Sequence, residues 1–201
     1  MTDSFALQPR PVRRIGNASR ILSAIRRSEG IARVDLAQQL DLSPATVTAI
    51  TARLMNEGLV VERPAAQPTG RGRPRVGLEL RPDALLVAGI KLKPGSITTA
   101  LLDLRGAVIG QKTVSFGKPT IRTDELVNGL MTALQLLLAD HGFTTRDLDV
   151  VGIGVPGYVD LHTGEHHWSP ILRGTPVNVR DLVSQHLDCP LFIDNDANLA
   201  T

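Results

Sequence analysis

The chain has 201 residues, of which 42% are hydrophobic and 21% are charged. This composition is typical of a globular chain with room for one large or two small domains, and it excludes disordered and fibrous proteins. The single cysteine, Cys189, excludes an intrachain disulfide and a cysteine-rich zinc knuckle. The N-terminus lacks the apolar core of a signal peptide, and no apolar run is long enough to cross a bilayer. We therefore expect a cytoplasmic protein with no membrane partner.

Charge divides the chain into two parts. Residues 1–81 contain 13 Arg, no Lys and 7 acidic residues, a net charge of +6, whereas residues 82–201 contain 9 basic and 13 acidic residues, a net charge of −4. This asymmetry is typical of a nucleic-acid-binding module joined to a domain that does not bind nucleic acid, although arginines that only solvate a surface are the alternative. We predict a flexible basic arm over residues 1–18, a DNA-binding domain over 19–81 and a second domain over 82–201.

Three short helices are predicted in the DNA-binding domain. Residues 19–28 place apolar side chains on one helical face and arginines on the other. A second helix follows the turn at Gly30 and has as its apolar residues Val34, Leu36, Ala37 and Leu40. The third helix begins after Ser43, a favourable N-cap, and Pro44, and it is predicted to run to Glu57. Its predicted buried stripe consists of Val47, Ile50 and Leu54.

The outward face of the third helix carries small side chains instead of the Glu and Lys of an ordinary surface helix. Two short helices joined by a tight turn form a helix-turn-helix, whose second helix fits the major groove of DNA. Alanine and threonine let a helix approach base edges closely. A plain three-helix bundle is the alternative. The predicted DNA-binding residues of this helix are Ser43, Ala45, Thr46, Thr48, Ala49 and Arg53.

A hairpin is predicted after the third helix, which makes the domain a winged helix-turn-helix. Residues 59–63 and 75–80 alternate like two strands, and the stretch 63–75, rich in Pro and Gly, forms the wing tip and linker. The tip contains the sequence Arg-Gly-Arg-Pro, which resembles the core of an AT-hook. The alternative is a flexible linker. Because arginines are attracted into the narrow minor groove of A·T-rich DNA, Arg71 and Arg73 are predicted to bind DNA.

The second domain is predicted to have an α/β fold. Its strands are predicted over residues 85–92, 97–104 and 107–116, followed by a helix over residues 123–141 and a strand over residues 149–155. A three-stranded meander followed by a crossover helix and a parallel strand suits the RNase H-like lobe of actin-like ATPases and sugar kinases. The predicted fold class is therefore a winged helix-turn-helix followed by the first RNase H-like lobe.

Two motifs in the second domain carry a family resemblance. Residues 152–160 (GIGVPGYVD) are a buried strand that runs into a glycine-rich turn, and residues 192–198 (FIDNDAN) are a strand that ends in a polar cluster. With residues 169–178 (SPILRGTPVN) between them, they closely resemble the ROK family of bacterial repressors and sugar kinases. The resemblance covers nearly the whole chain, because the family's repressors carry the same winged helix and basic wing.

The resemblance implies an effector site at the ends of both strands. In family members that bind sugars, the residues that match Asn195 and Asp196 hydrogen-bond sugar hydroxyls, and in kinases the matching Asp is the general base. Gly154, Pro156 and Gly157 would form the adjoining wall. The alternative for the acidic cluster is that it only caps the next helix.

The chain also departs from the family pattern. Family kinases have an Asp and a Gly-Gly-Thr phosphate loop where this chain has Lys91-Leu-Lys-Pro-Gly95, and a lysine cannot replace the magnesium-organising carboxylate. The sequence stops at Thr201, so the resemblance predicts that the second lobe, with the family's zinc site and most of its dimer interface, is missing. Solvated loop histidines, and not metal ligands, are predicted at His162, His166 and His167. We therefore expect no catalytic residue, metal or cofactor.

The combined prediction is a DNA-binding transcriptional regulator of sugar-metabolism genes, expected to be a repressor, with a degenerate, non-catalytic sugar-kinase-like domain. Its expected partners are double-stranded operator DNA, a sugar effector and, for the full-length chain, a second copy in a homodimer. Two alternatives remain from the sequence. The first is a ROK sugar kinase with an added DNA-binding domain, and the second is a truncated fragment without regulated function.

Overall fold

A computed structural model describes residues 16–28, 30–64, 76–160, 162–174 and 176–195. The chain divides into two units, residues 1–80 and residues 81–201. Three predicted site residues, Arg71, Arg73 and Asp196, lie outside the described residues.

The described part of the first unit is a helix-turn-helix with a hairpin. Its elements are α1 (Asn17–Arg26), α2 (Arg33–Leu40), α3 (Pro44–Asn56), β1 (Val60–Pro64) and β2 (Val76–Leu80). The two strands pair antiparallel, with Val60 opposite Leu80 and Pro64 opposite Val76. Ile31, between α1 and α2, forms an antiparallel bridge with Leu78, which the sequence analysis did not predict. The winged helix-turn-helix fold is confirmed.

The helices form because apolar residues recur at helical spacing and meet in one core. α1 packs against α2 and α3, and it also contacts β2. The buried apolar residues of this core come from all three helices and both strands, and they include Ile21, Ala24, Ile25, Leu36, Ala37, Val47, Leu54, Val60, Leu78 and Leu80. The hairpin is therefore joined to the helices by the core and not only by the chain.

Two features near the N-terminus differ from the prediction. α1 begins at Asn17, so the last two residues of the predicted flexible arm are helical, and it ends at Arg26 instead of residue 28. Val34 was assigned to the apolar face of the second helix, but it is 63% exposed. In this eight-residue helix, the side chains of Leu36 and Ala37 are the ones that reach the core.

The buried face of α3 also differs from the predicted stripe. Ile50 is only half-buried, and the fully buried position is taken by Thr51. Val47, Thr51 and Leu54 follow the i, i+4, i+7 spacing of one helical face, which explains this arrangement. The Thr51 hydroxyl donates a hydrogen bond to the carbonyl oxygen of Val47 at 2.8 Å, so its burial leaves the donor satisfied.

The second unit contains a mixed β-sheet. The described elements are β3 (Val87–Lys93), β4 (Ser96–Leu102), β5 (Val108–Ser115), β6 (Ile121–Arg122), α4 (Thr123–Asp140), β7 (Val150–Val155), β8 (Tyr158–Val159), β9 (Glu165–Trp168), β10 (Leu172–Arg173), β11 (Val177–Asn178), α5 (Val179–Ser184) and β12 (Leu191–Asn195). Short 3-10 helices lie at Pro82–Ala84 and Thr145–Asp147. The order of the described strands in the main sheet is β12-β7-β3-β4-β5.

The topology of this sheet confirms the predicted RNase H-like lobe. β3, β4 and β5 form an antiparallel meander, and β7 and β12 follow parallel to β3. α4 crosses from β5 to β7 and packs on β4 and β5. The side chains of α4 that bury against the sheet recur at helical spacing and are Leu126, Val127, Leu130, Ala133, Leu134, Leu137 and Leu138.

The second unit also contains short strands that the sequence analysis did not predict. β8, β9 and β11 form a small antiparallel sheet in the order β11-β9-β8, and β6 pairs with β10. His166, predicted to be a solvated loop histidine, lies on the central strand of this sheet and is 0% exposed. Its backbone partners are Val159 on β8 and Val177 on β11, which flank it on both sides.

Candidate nucleic-acid interface and strand-end site

A tight turn sets the angle between α2 and α3. Asp41 ends α2 in the left-handed conformation with φ of 52°. Ser43 then caps α3: its hydroxyl oxygen accepts a hydrogen bond from the backbone amide of Thr46 at 3.1 Å, and the two hydroxyl oxygens lie 2.8 Å apart. Pro44 occupies the first helical position. The local sequence therefore fixes where the recognition helix starts.

The predicted DNA-binding residues of α3 lie on its accessible side. Thr46 is half-buried, and the exposed members of the set are Ser43, Ala45, Thr48, Ala49 and Arg53. The Thr48 hydroxyl donates to the carbonyl oxygen of Pro44 at 2.8 Å, so the helix itself satisfies this donor. Arg53 lies 3.6 Å from Glu57, an exposed ion pair that contributes little and that a phosphate could replace. This side of α3 can enter a major groove without a bulky or acidic side chain in its first two turns.

The sequence analysis counted the arginines of this unit together as the charge of a basic segment, but two of them connect its elements. Arg20 donates from Nη2 to the carbonyl oxygen of Leu40 at 2.7 Å, at the end of α2. Arg33 contacts side chains of both α3 and β1. The sequence signal for such a role is weak, because an arginine at the edge of an apolar face looks the same whether it binds DNA or a neighbouring helix.

The second candidate site lies where β7 and β12 end. These strands are adjacent and parallel, so their carboxyl ends meet, which is where α/β sheets bind ligands. Asp194 and Asn195 pair with Gly154 and Val155. The Asn195 side chain donates from Nδ2 to the carbonyl oxygen of Gly157. The structure therefore brings together Gly154, Gly157 and Asn195 from the predicted site.

The turn after β7 depends on glycine at position 157. Gly157 has φ of 125°, and a Cβ there would lie 2.2 Å from the carbonyl oxygen of Trp168. Ser169 holds the same turn, since its hydroxyl donates to the carbonyl oxygen of Pro156 at 2.7 Å. The sequence analysis did not assign this role to Ser169, although Ser169 begins the 169–178 segment of the family resemblance. Ser169 and Asn195 fix successive carbonyl groups of one turn.

Aromatic side chains stand beside this turn. Tyr158 and Trp168 are opposite each other on β8 and β9, and both are more than half exposed. The ring of Tyr158 also lies 5.5 Å from the ring of His167. Binding sites for small molecules combine such aromatic surface with a few fixed polar groups. The sequence analysis did not single out either aromatic residue.

The position of the family's phosphate loop is a tight hairpin turn in this structure. Lys93 pairs with Ser96, so only Pro94 and Gly95 connect β3 to β4. Gly95 has φ of 77°, and its carbonyl oxygen accepts a hydrogen bond from the backbone amide of Phe116 at 3.0 Å. Pro94 has no amide hydrogen. A turn of this length, with one of its two residues unable to donate, does not form a cradle of backbone amides for phosphates.

The titratable groups of the second unit point to structural roles. Backbone amides of His162 and Thr163 donate to the Asp160 carboxylate at 2.7 and 3.2 Å and hold its pKa below the usual value. Burial raises the pKa of the Cys189 thiol, which disfavours the thiolate needed for metal binding.

Within the part of the chain that the structure describes, no group of three or more His, Cys, Asp or Glu side chains is placed to hold a metal ion. No described helix is long and apolar enough to span a membrane.

Comparison with protein families matches both units. A model of winged helix-turn-helix DNA-binding domains matches residues 17–61. A model of the ROK family matches residues 87–201, which is more than half of the chain.

Individual relatives are bacterial repressors. A putative xylose repressor of Caldicellulosiruptor sp. strain Rt8B.4 is 29% identical over 89% of this chain and 44% of its own length. The DNA-binding transcriptional repressor Mlc of Escherichia coli K12 is 24% identical over 92% of this chain and 45% of its own length. The crystal structure of a ROK family transcriptional regulator, a homologue of Mlc, superposes with a TM-score of 0.70 at 25% identity, covering 90% of this chain and 45% of that one. The chain thus spans less than half the length of these relatives.

Proposed function

Because this chain belongs to the ROK family, we propose that it acts as a DNA-binding transcriptional repressor that responds to a sugar in the cytoplasm. The observation that carries the proposal is the accessible side of α3, which begins at a capped N-terminus and presents Ala45, Thr48 and Ala49. This helix belongs to a segment with a net charge of +6. Repression itself is inferred from the relatives, which are repressors by name.

The first prediction concerns the α3 surface. Ala49→Glu should weaken DNA binding by about tenfold or more, because it places a bulky carboxylate against base edges and phosphates. The measurement is a fluorescence anisotropy titration of the whole chain with a duplex selected from a random library. Affinity of the unsubstituted chain should also fall steeply as salt rises, since phosphate contacts release counterions.

A charge-matched control separates this effect from a general change in charge. Gln185→Glu adds the same negative charge at an exposed position of the second unit. It should leave DNA affinity within about twofold of the unsubstituted chain, because it lies outside the unit proposed to bind DNA and salt screens an exposed charge. Equal losses in both variants would refute α3 as the recognition helix.

We also propose that the effector is a sugar bound where β7 and β12 end. In support, one relative is a xylose repressor by name, and the Asn195 amide is already fixed against Gly157. Gly154, Pro156 and Asp196 complete the proposed set of binding residues. Binding by this chain should be weak, because each hydrogen bond to a sugar hydroxyl adds only about 1 kcal/mol net.

The second prediction is that the chain binds a sugar without phosphorylating it. The Pro94–Gly95 turn and the exposed Lys91 supply neither a phosphate cradle nor a carboxylate for magnesium. Titration with xylose or glucose should change the fluorescence of Trp168 saturably, and Asn195→Ala should reduce that change. A coupled assay with Mg-ATP should show no turnover above the blank.

Two results would contradict this prediction. Turnover that disappears in Asp196→Asn would establish a kinase. A fluorescence change that is the same in Asn195→Ala would place the sugar elsewhere.

The family resemblance also bears on cofactors and assembly, because it assigns the zinc ligands and most of the dimer interface to a second lobe. We therefore infer that residues 1–201 bind no cofactor of their own and that homodimers require the family's full length.

A further inference from the structure

We infer that Arg33 is a positioning residue that fixes the recognition helix α3 against the wing strand β1, so that both meet DNA as one surface. The inference rests on the proposed DNA-binding function. It concerns how the two DNA-contacting elements are coupled, and Arg33 itself is not assigned a contact with DNA.

One guanidinium group joins three elements of the first unit. From the first turn of α2, Arg33 donates from Nε to the hydroxyl of Thr51 on α3 at 3.1 Å. Its Nη1 lies 2.6 Å from the carboxylate of Glu62 on β1, and its Nη2 lies 3.4 Å from the sulfur of Met55 on α3. Each nitrogen of the guanidinium therefore has a partner, and the partners lie on both α3 and β1.

This contact belongs to a network that reaches from the surface to a buried side chain. The side chains of Arg33 and Glu62 are 30% and 42% exposed, and Thr51 is fully buried. Thr51 accepts from Arg33 while it donates to Val47, so the chain of hydrogen bonds reaches the backbone of the recognition helix. A planar fork with fixed donor directions suits several partners at once, which the single ammonium of lysine does not.

The position of this cluster explains its proposed role. β1 begins at Val60, only a few residues after α3 ends at Asn56, and it leads toward the wing tip. The Arg33–Glu62 contact bridges this joint from the side, from a third element. Loss of the contact should let the wing and α3 move relative to each other, so that wing arginines no longer reach the minor groove when α3 occupies the major groove.

The test is a double-mutant cycle in DNA binding, measured on the whole chain with an A·T-flanked duplex. Removing the wing arginines, by Arg71→Ala with Arg73→Ala, should weaken binding of the unsubstituted chain by about tenfold and of Arg33→Met by only about twofold. Arg33→Lys should behave like Arg33→Met. The cycle measures the coupling between Arg33 and the wing arginines in DNA-binding free energy. A variant that only lost stability would show no coupling below its melting temperature, because the two losses of binding free energy would then add.

Matched controls exclude simple charge effects. We call the loss of affinity caused by removing the wing arginines the wing contribution. Arg27→Met removes the same charge from an exposed position at the end of α1 and should leave this contribution at about tenfold. Glu62→Gln should reduce the wing contribution as Arg33→Met does, whereas Glu79→Gln, on the other wing strand, should not. If Glu62 acted only by repelling phosphates, Glu62→Gln would instead tighten binding with the wing contribution intact, and the inference would be wrong.

Folding and function are checked separately. If circular dichroism shows that Arg33→Met does not fold, the Glu62→Gln arm decides, because Glu62 is on the surface. Additive losses in a folded chain that binds DNA would overturn the inference and leave the proposed function intact. An unsubstituted chain that binds no duplex would overturn both.

Discussion

Replacing Gly157 with alanine should destabilise the second unit by about 3 kcal/mol or more. A Cβ at this position would lie 2.2 Å from the carbonyl oxygen of Trp168 and 2.8 Å from the Cα of Ser169, both backbone atoms. The clash cannot be relieved by rotating a side chain. The backbone would have to move, and this would break the hydrogen bonds that Asn195 and Ser169 make to the turn.

Trp168 is the only tryptophan in the chain, so its fluorescence reports unfolding of the second unit in a denaturant titration. Circular dichroism would confirm the midpoint, since Trp168 lies next to the substituted turn. Two other Gly→Ala substitutions serve as controls, because the added Cβ does not clash with the backbone. A Cβ at Gly152, on the preceding strand β7, or at Gly174, which has φ of 85°, would meet no described atom within 4 Å.

Each control isolates one part of the effect. Gly152→Ala should be nearly neutral, and Gly174→Ala should cost about 1 kcal/mol for the positive φ alone. Gly157→Ala should also abolish sugar binding, because the proposed site loses its wall. A loss of stability no larger than that of Gly174→Ala would show that the turn is soft and that glycine is not required there.

The helix-turn-helix was predictable because its signals are local. The Ser43-Pro44 pair marks the start of α3, and apolar spacing marks all three helices. Burial within the helices was less predictable. Thr51 is buried in part because Arg33, 18 residues earlier, supplies it with a donor. Such a partner is visible only when the elements are packed, whereas hydropathy favours Ile50 for the same position.

The second unit shows the same division between local and distant signals. The main strands and α4 are long enough for their periodicity to be read, with lengths of 5 to 18 residues. β8 to β11 have two to four residues each, too few to show a period. Their positions depend on pairings such as Tyr158 with Trp168. Family resemblance therefore predicted a site at the strand ends, but not the contacts of Ser169 or the burial of His166.

Acidification should destabilise the second unit through His166. This side chain is 0% exposed, and neither ring nitrogen has a hydrogen-bond partner of good geometry among the described residues. Burial lowers the pKa of His166 from its ordinary 6.5 to about 4; the nearby backbone of Gly164 opposes this shift, and the charge of His167 adds to it. Between these values the unfolded chain binds a proton that the folded chain excludes. Stability is therefore fully present above pH 6.5 and is lost as the pH falls towards 4.

The expected loss across this window is about 3 kcal/mol, since each unit of pKa difference corresponds to about 1.4 kcal/mol. Denaturant titrations at pH 7, 5.5 and 4 would measure it. His166→Leu should remove the pH dependence in this window and leave the unit at least as stable at pH 7, because leucine has a similar volume and no unpaired nitrogen. The exposed His186 provides the control, and His186→Gln should keep the full dependence.

Three aspartates of the second unit act mainly below this window. The pKa values of Asp124, Asp147 and Asp160 are lowered from 3.8 by hydrogen bonds, so their contribution to stability is lost only at lower pH. A loss of stability between pH 6.5 and 4 that is the same in His166→Leu would show that another group takes up the proton. A dependence that disappears only in His166→Leu would establish that the small β11-β9-β8 sheet, which adjoins the Gly157 turn, excludes a charged histidine when folded.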